Sequence, residues 1–233
     1  MRLHRFIGDF DCSLDAIEIT DADVVNQIGF VLRLGVGDRL ILGNGEGNEC
    51  IVEISDRQKN AISVNVVERS NNANDPTVAA ILYCAILKRE NFELVVQKAT
   101  EIGVAEIVPL ITTRTIKLDI KEERLRKIIA EAAEQSGRGR LPLLHRPMRL
   151  DEAFEHARGN DVNFFFALGD ASEDDVISTA GKRRGLFIGP EGGWTNEEEE
   201  AARAAGHMLV SLGALTLRGE TAAIVASYLG TRD

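Results

Sequence analysis

Apolar and polar positions alternate differently in the two parts of this chain, and the change divides it near residue 70. Before that point the apolar residues come in short runs of strand length, at 40–42, 49–54 and 61–67, separated by turn-forming stretches such as Gly43-Asn44-Gly45-Glu46-Gly47. Short apolar runs bounded by Gly and Asn read as strands joined by tight turns. One helix is expected from residue 21 to about 34, and the whole first part reads as a small β-barrel. The polar stretch Ser70-Asn71-Asn72-Ala73-Asn74-Asp75-Pro76 has the composition of a linker. Beyond it, apolar runs at 78–87, 105–111, 162–168, 186–188 and 208–212 alternate with helix-like segments. Strands that are apolar at successive positions are buried on both faces, which calls for a largely parallel sheet covered by helices. The expected fold is therefore α/β, with a barrel domain over residues 1–70 and a parallel-sheet domain over 71–233.

Composition adds bounds. A chain of 233 residues with 44% hydrophobic content can bury a core or two small ones. No run of about eighteen apolar residues occurs and the first residues lead into no signal-like stretch, so neither a membrane span nor secretion is expected and the cytoplasm is the default. Cys12, Cys50 and Cys84 are widely spread, as are His4, His145, His156 and His207. Neither a disulfide framework nor a zinc site follows from such spacing.

A net charge of −10 argues against a nucleic-acid partner, because affinity for a polyanion comes largely from Lys and Arg at phosphates. The charges are uneven, however. Acid concentrates at 152–155 and 197–200, while bases gather at Arg2, His4 and Arg5, at Arg138 and Arg140, and at Lys182-Arg183-Arg184. An acidic chain with this distribution can carry a basic face, although the last cluster reads better as solvated surface.

Two corners carry the candidate chemistry. The run 186–188 passes through Gly189-Pro190-Glu191-Gly192-Gly193-Trp194 into a helix whose start is marked by Thr195 with Glu198, a capping-box pattern. A glycine-rich corner at a helix start commonly cradles phosphate, but Glu197, Glu198, Glu199 and Glu200 occupy that positive dipole and would repel an anion. The corner is thus either a tight turn or a site for a neutral or cationic ligand. A second corner, Leu212-Gly213-Ala214-Leu215-Thr216-Leu217-Arg218-Gly219-Glu220-Thr221, leads into an apolar helix over 221–229 and places Arg218 and Glu220 at its entrance. Charges there are costly unless paired or used. A third loop, Gly169-Asp170-Ala171-Ser172, follows another strand run. Ligands of open parallel sheets bind beyond the carboxyl ends of strands, where all three loops fall. The usual dinucleotide and triphosphate fingerprints are missing.

These corners, with Glu134-Gln135-Ser136-Gly137-Arg138, Phe92-Glu93, the run 97–104, the amino-terminal Met1-Arg2-Leu3-His4-Arg5-Phe6 and Val31-Leu32-Arg33, resemble the RsmE family of SPOUT-class RNA methyltransferases over essentially the whole chain. The resemblance implies a PUA-like RNA-binding barrel followed by a trefoil-knotted methyltransferase domain, a homodimer, and methylation of N3 of a uridine in 16S (small-subunit) ribosomal RNA by S-adenosylmethionine, without a metal. It further implies that Leu168, Gly169, Ile188, Gly189, Pro190, Gly192, Leu212, Gly213, Leu217 and Thr221 hold the cofactor. Arg218 would stabilise charge developing on the base, with Glu191 and Glu220 assisting, and Arg2, His4, Arg5, Arg33, Arg138 and Arg140 would contact RNA. The chain departs from the family pattern at Leu215, where arginine is common, at Asn91, where lysine is, and at Gln27, where histidine is. The segment 114–131 is also shorter than usual. These departures concern RNA contacts more than the cofactor, and they leave two further readings: a related SPOUT enzyme acting on another RNA, or a non-catalytic RNA- or cofactor-binding relative.

Overall fold

The computed structural model describes residues 3–116, 120–168 and 181–232. It contains two compact units: Met1–Asp75 with Ala133–Leu141, and Pro76–Ala132 with Pro142–Asp233. The segment 133–141 therefore belongs with the amino-terminal residues, a return that a division at residue 70 does not include.

The first unit is built on a five-stranded sheet. Its elements are β1 (Arg5–Ile7), β2 (Ala16–Ile19), α1 (Ala22–Asn26), β3 (Arg39–Gly43), β4 (Asn48–Arg57) and β5 (Ile62–Asn71). The strand order is β1-β3-β4-β5-β2, antiparallel except for the β1/β3 pair. Phe6, Ile19, Ile28, Leu40, Leu42, Val52, Ile54, Ile62 and Val64 fill its core. The single helix expected over 21–34 is instead α1 followed by a π-helical turn, Gln27–Val31. Arg57 donates to the Gly29 carbonyl at 2.8 Å, and a Cβ on Gly29 would meet that guanidinium at 2.9 Å, so a side chain from the sheet is seated in the turn.

The stretch read as a linker is tied down by its own side chains. Asn72 Nδ2 donates to Glu49 and to the Gly137 carbonyl, Asn74 Nδ2 donates to the same carbonyl, and Asp75 accepts from Arg138 Nε at 2.7 Å. Asn and Asp favour turns because such short side chains bond nearby backbone, and here they bond distant backbone as well.

The second unit holds β6 (Ala79–Ala85), α2 (Arg89–Ile102), β7 (Glu106–Ile111), α3 (Glu122–Ser136, whose last turn enters the segment 133–141), β8 (Leu143–Leu144), β9 (Met148–Arg149), α4 (Leu150–His156), β10 (Val162–Phe166), β11 (Arg183–Ile188), α5 (Asn196–Ala204), β12 (Met208–Val210) and α6 (Gly219–Gly230). The sheet runs β12-β10-β11-β6-β7-β8, with β9 also on β7, and every pairing is parallel. Its central strands are apolar on both faces because both are covered, as the continuous runs predict. Helix α6 lies on β6 and β11 and against α2. Its glycines permit this: a Cβ on Gly230 would lie 2.6 Å from Leu186, and one on Gly219 2.9 Å from Leu87. Ala223 and Ala226 are buried on that face, while Tyr228 is 54% exposed. No described helix is long and apolar enough to cross a membrane.

The Lys182-Arg183-Arg184 cluster, read from sequence as solvated surface, is largely structural. Arg183 Nη2 donates to Glu106 at 2.6 Å, and Arg184, 3% exposed, donates to the Arg232 carbonyl at 2.6 Å.

The aromatic core of the second unit encloses His207, 7% exposed and with ring centroids of Phe154 and Phe187 at 4.6 and 4.7 Å. Its Nδ1 has no hydrogen-bond partner among the described residues, and burial pulls its pKa from 6.5 down to about 4. A depressed histidine is neutral when folded and takes up a proton on unfolding. Stability is thus complete above pH 6.5 and declines as the pH falls towards 4, by about 3 kcal/mol for a shift of this size. Thermal melts of the wild type and His207→Phe should diverge over this window, the variant losing less on acidification. Parallel pH curves would refute this assignment.

Candidate cofactor and catalytic site

Strands β10, β11 and β12 are neighbours in the sheet and end on the same side, so the segments leaving them meet beyond their carboxyl ends. There they wall a cavity of about 700 Å³, within the roughly 300–1,000 Å³ range of small-molecule sites.

The corner after β11 is fixed from several directions. Trp194 is 7% exposed, lies 4.3 Å from the Phe165 ring, and donates its Nε1 hydrogen to the Phe166 carbonyl at 2.9 Å. A Cβ on Gly189 would stand 3.0 Å from the Trp194 ring, which leaves little room for any residue but glycine. Gly193 turns the chain at φ +69° and donates its N–H to the Pro190 carbonyl at 2.8 Å. The capping box read from the sequence is present: Thr195 accepts from Glu198 N, and Glu198 accepts from Thr195 N. Glu198 is buried because its other oxygen accepts the Thr113 N–H at 2.9 Å.

Arg114 completes the clamp by donating from Nη1 to the Gly192 and Trp194 carbonyls at 2.6 and 2.9 Å. Removing it leaves both carbonyls of the corner without their charged donor. Charge-assisted bonds contribute about 1.5–3 kcal/mol, and 1.4 kcal/mol is about tenfold in affinity. Arg114→Ala should therefore weaken cofactor binding about tenfold by calorimetry and, because the same bonds help hold the fold, lower the melting temperature by several degrees. An unchanged Kd would show that the corner holds its shape without Arg114.

The loop after β12 turns at Gly213, φ +103°, and reaches α6 through Leu217 and Arg218. Arg218 occupies the N-cap position with no side-chain cap bond and is exposed on the cavity wall. Glu220, in the first turn of α6, also lines the cavity, and its Oε2 is buried without a hydrogen-bond partner among the described residues. A buried carboxylate oxygen in that condition is costly, which marks it as a group awaiting a donor. Glu191 is exposed at the rim and accepts weakly from Lys88 N at 3.3 Å.

Leu168, Ile188, Gly189, Pro190, Gly192, Leu212, Gly213 and Leu217 all line this cavity together with Glu191, Arg218 and Glu220. Thr221 does not: it is exposed on α6 and lies off the wall. Gly169 lies outside the described residues. Sequence reasoning did not place Lys88, Arg114 and Glu199 in the site, though all three line it. Lys88 follows β6 and had the same strand-end signal as the corners, whereas Arg114 reaches the site only through tertiary contact. Leu215 and Asn91, two of the departures, are on the cavity wall too, while Gln27 is exposed in the first unit.

The residues expected to contact RNA divide sharply. His4, Arg33 and Arg140 are exposed, Arg33 with an unusual φ of +56°. Arg5 and Arg138 are instead spent inside the first unit. Arg5 grips Glu49 through Nε and Nη2 at 2.9 and 3.1 Å, and Arg138 pairs with Asp75, with side-chain exposures of 12% and 7%. Burial lowers the Arg138 pKa against the pull of Asp75. Guanidinium groups committed to carboxylates in this way are not presented to a polyanion. Arg2 lies outside the described residues.

A parallel sheet with two glycine-bearing corners and a lining of mixed charge defines the class, and comparison with known proteins agrees. Residues 74–229 match the family described as RNA methyltransferase domain, and residues 19–67 match the RNA methyltransferase PUA domain. The ribosomal RNA small subunit methyltransferase E of Rickettsia conorii is 32% identical over 90% of this chain and 87% of its own length. That of Bacillus subtilis is 30% identical over 87% of this chain and 84% of its own. A Legionella pneumophila methyltransferase solved with bound S-adenosylmethionine superposes with a TM-score of 0.88 at 30% identity, covering 98% of this chain and 97% of the other. The ribosomal RNA small subunit methyltransferase E of Neisseria gonorrhoeae, also bound to S-adenosylmethionine, gives 0.89 at 26% identity, covering 97% and 95%. The chain belongs to the ribosomal RNA small subunit methyltransferase E family, with a PUA-like amino-terminal domain and a parallel-sheet methyltransferase domain.

Proposed function

We infer that this protein is an S-adenosylmethionine-dependent methyltransferase that modifies N3 of a uridine in 16S ribosomal RNA. The observation that carries the reading is the cavity at the ends of β10, β11 and β12, in a chain whose relatives bear that enzyme's name and whose structural neighbours hold S-adenosylmethionine.

The residues present fit the cofactor. Phe166, Leu168, Ile188 and Leu212 offer apolar surface for an adenine, and the loop backbones offer amide and carbonyl groups to its edge. Glu191, Glu199 and Glu220 suit a cationic sulfonium, and the acidic start of α5 disfavours a polyphosphate. When bound, the cofactor supplies an electrophilic methyl group. The protein's task is then to align uridine N3 and to stabilise the negative charge that the pyrimidine acquires as N3 gives up its proton. Arg218 is suited to that charge because a guanidinium stays protonated and presents a planar fork of donors. Glu220, whose oxygen lacks a partner among the described residues, is suited to steering Arg218, and Glu191 to orienting the base or accepting the N3 proton. We propose Thr221 as a helix-start residue rather than a cofactor contact, in keeping with its exposure. Exposed His4, Arg33 and Arg140 supply the basic contacts for RNA that the net charge of −10 would otherwise oppose.

The partly bare face of α6, with Tyr228 exposed, supports a homodimer, and the adjacency of the 189–193 and 212–217 loops at one cavity is in keeping with the knot of the SPOUT class. The place of action is the cytoplasm, with the ribosomal subunit. A second reading, action on another RNA, is favoured by Leu215 and Asn91, which put an apolar and a neutral side chain on the cavity wall. Mapping modified nucleosides in cells lacking this gene decides between them. Loss of one N3-methyluridine from small-subunit RNA, restored by the gene, is the expected result; loss confined to transfer RNA favours the second reading.

A further inference from the structure

At the opposite end of the sheet from the cofactor cavity, three side chains distant in sequence converge. Glu106 opens β7, His145 follows β8, and His156 ends α4. The four histidines look scattered along the chain, yet one ligand atom from each of these three residues lies within 4.8 Å of the others. His145 Nε2 is 2.7 Å from Glu106 Oε2, and His156 Nε2 is 3.9 Å from the same oxygen. Zinc bonds of about 2.0–2.1 Å in a tetrahedron set neighbouring ligand atoms about 3.3 Å apart, so the two separations fall on either side of the value a shared ion requires.

The surroundings hold these atoms in place. Tyr83 OH is 2.7 Å from His156 Nδ1, and Tyr83 is itself buried and stacked on Phe187 at 4.2 Å. That bond turns His156 Nε2 towards Glu106 at a distance too long for a hydrogen bond. Arg183 Nη2 holds the other carboxylate oxygen, Oε1, at 2.6 Å, and Arg183 Nε is held in turn by Asn160. Outer partners of this kind, orienting a histidine ring and a carboxylate, are what metal ligands characteristically have. Side-chain exposures of 14%, 17% and 27% for Glu106, His145 and His156 leave a path for an ion and for water to complete its coordination.

We propose that Glu106, His145 and His156 form a site for a borderline divalent cation of the zinc type, which pins the start of β7, the turn after β8 and the end of α4 to one another. It is separate from methyl transfer, which uses the other end of the strands. Imidazole nitrogens with a carboxylate select such cations over magnesium or calcium.

Cobalt(II) is the probe, since its visible absorption reports four-coordinate nitrogen and oxygen ligation. Titration of the chelator-treated full chain should give absorption that saturates at one equivalent and is displaced by zinc, and zinc should raise the melting temperature. A His145→Gln, His156→Gln double variant should lose the absorption while still binding S-adenosylmethionine. Should the double variant fail to fold, His156→Gln alone keeps the His145 bond to Glu106 and should weaken cobalt at least tenfold. Absence of a saturable signal in the wild type, or equal affinity in either variant, overturns the proposal.

Discussion

Arg218→Ala lowers the rate of methyl transfer to small-subunit RNA by about 10²–10³-fold and leaves S-adenosylmethionine affinity within about twofold of wild type. The expectation follows from where Arg218 stands. It ends the loop after β12, is exposed on the cavity wall, and carries no side-chain bond capping the helix it precedes. Its removal therefore deletes charge at the site without unfastening α6, whose start is set by the close approach of Gly219 to Leu87. A group that meets charge only as the base loses its proton acts on turnover rather than on cofactor binding. Arg218→Lys should recover little, since it restores a charge but not the planar fork. Transfer at near wild-type rates by the alanine variant would assign Arg218 a structural role.

Arg5→Ala destabilises the first unit by about 3–5 kcal/mol, which is the penalty expected when one partner of a buried ion pair is removed. Glu49 is 5% exposed and accepts two bonds from Arg5 and one from Asn72. Without Arg5 its charge stays buried with one amide for company. Urea unfolding of the variant should show an early transition, and Arg5→Leu with Glu49→Leu should restore much of the loss, because replacing both partners leaves no orphaned charge. A variant as stable as wild type that binds RNA poorly would instead make Arg5 an RNA contact.

The contrast between Arg218 and Arg5 shows which features were legible in the sequence. The parallel sheet was, because β6 and the later positions of β10 and β11 are apolar in succession, as strands buried on both faces are. The corner at 189–195 was legible down to its capping box, since Thr195 and Glu198 are three residues apart and their partnership is local. Strands β1 and β2 were missed, being three and four residues long, as were β8 and β9 at two each. Such lengths carry no period. The helix expected over 21–34 failed where Arg57, from another strand, seats itself against Gly29. Arg5 and Arg138 were read as a basic surface because their carboxylate partners lie 44 and 63 residues away. Long-range pairing of this sort leaves no mark in a local pattern. Arg114 entered the site, and His145 met His156 and Glu106, for the same reason. Composition misled in one respect: the chain's acidity is real, but the cavity wall carries Lys88, Arg114 and Arg218 alongside its carboxylates.

The most direct measurement is transfer of an isotopically labelled methyl group from S-adenosylmethionine to small-subunit ribosomal RNA or its assembled subunit by the purified protein, with the product digested to nucleosides and identified by mass spectrometry. The account predicts label in N3-methyluridine alone, approaching one per RNA with wild type and absent with Arg218→Ala. Label in a different nucleoside, or none in RNA from a protein that binds the cofactor, would contradict it.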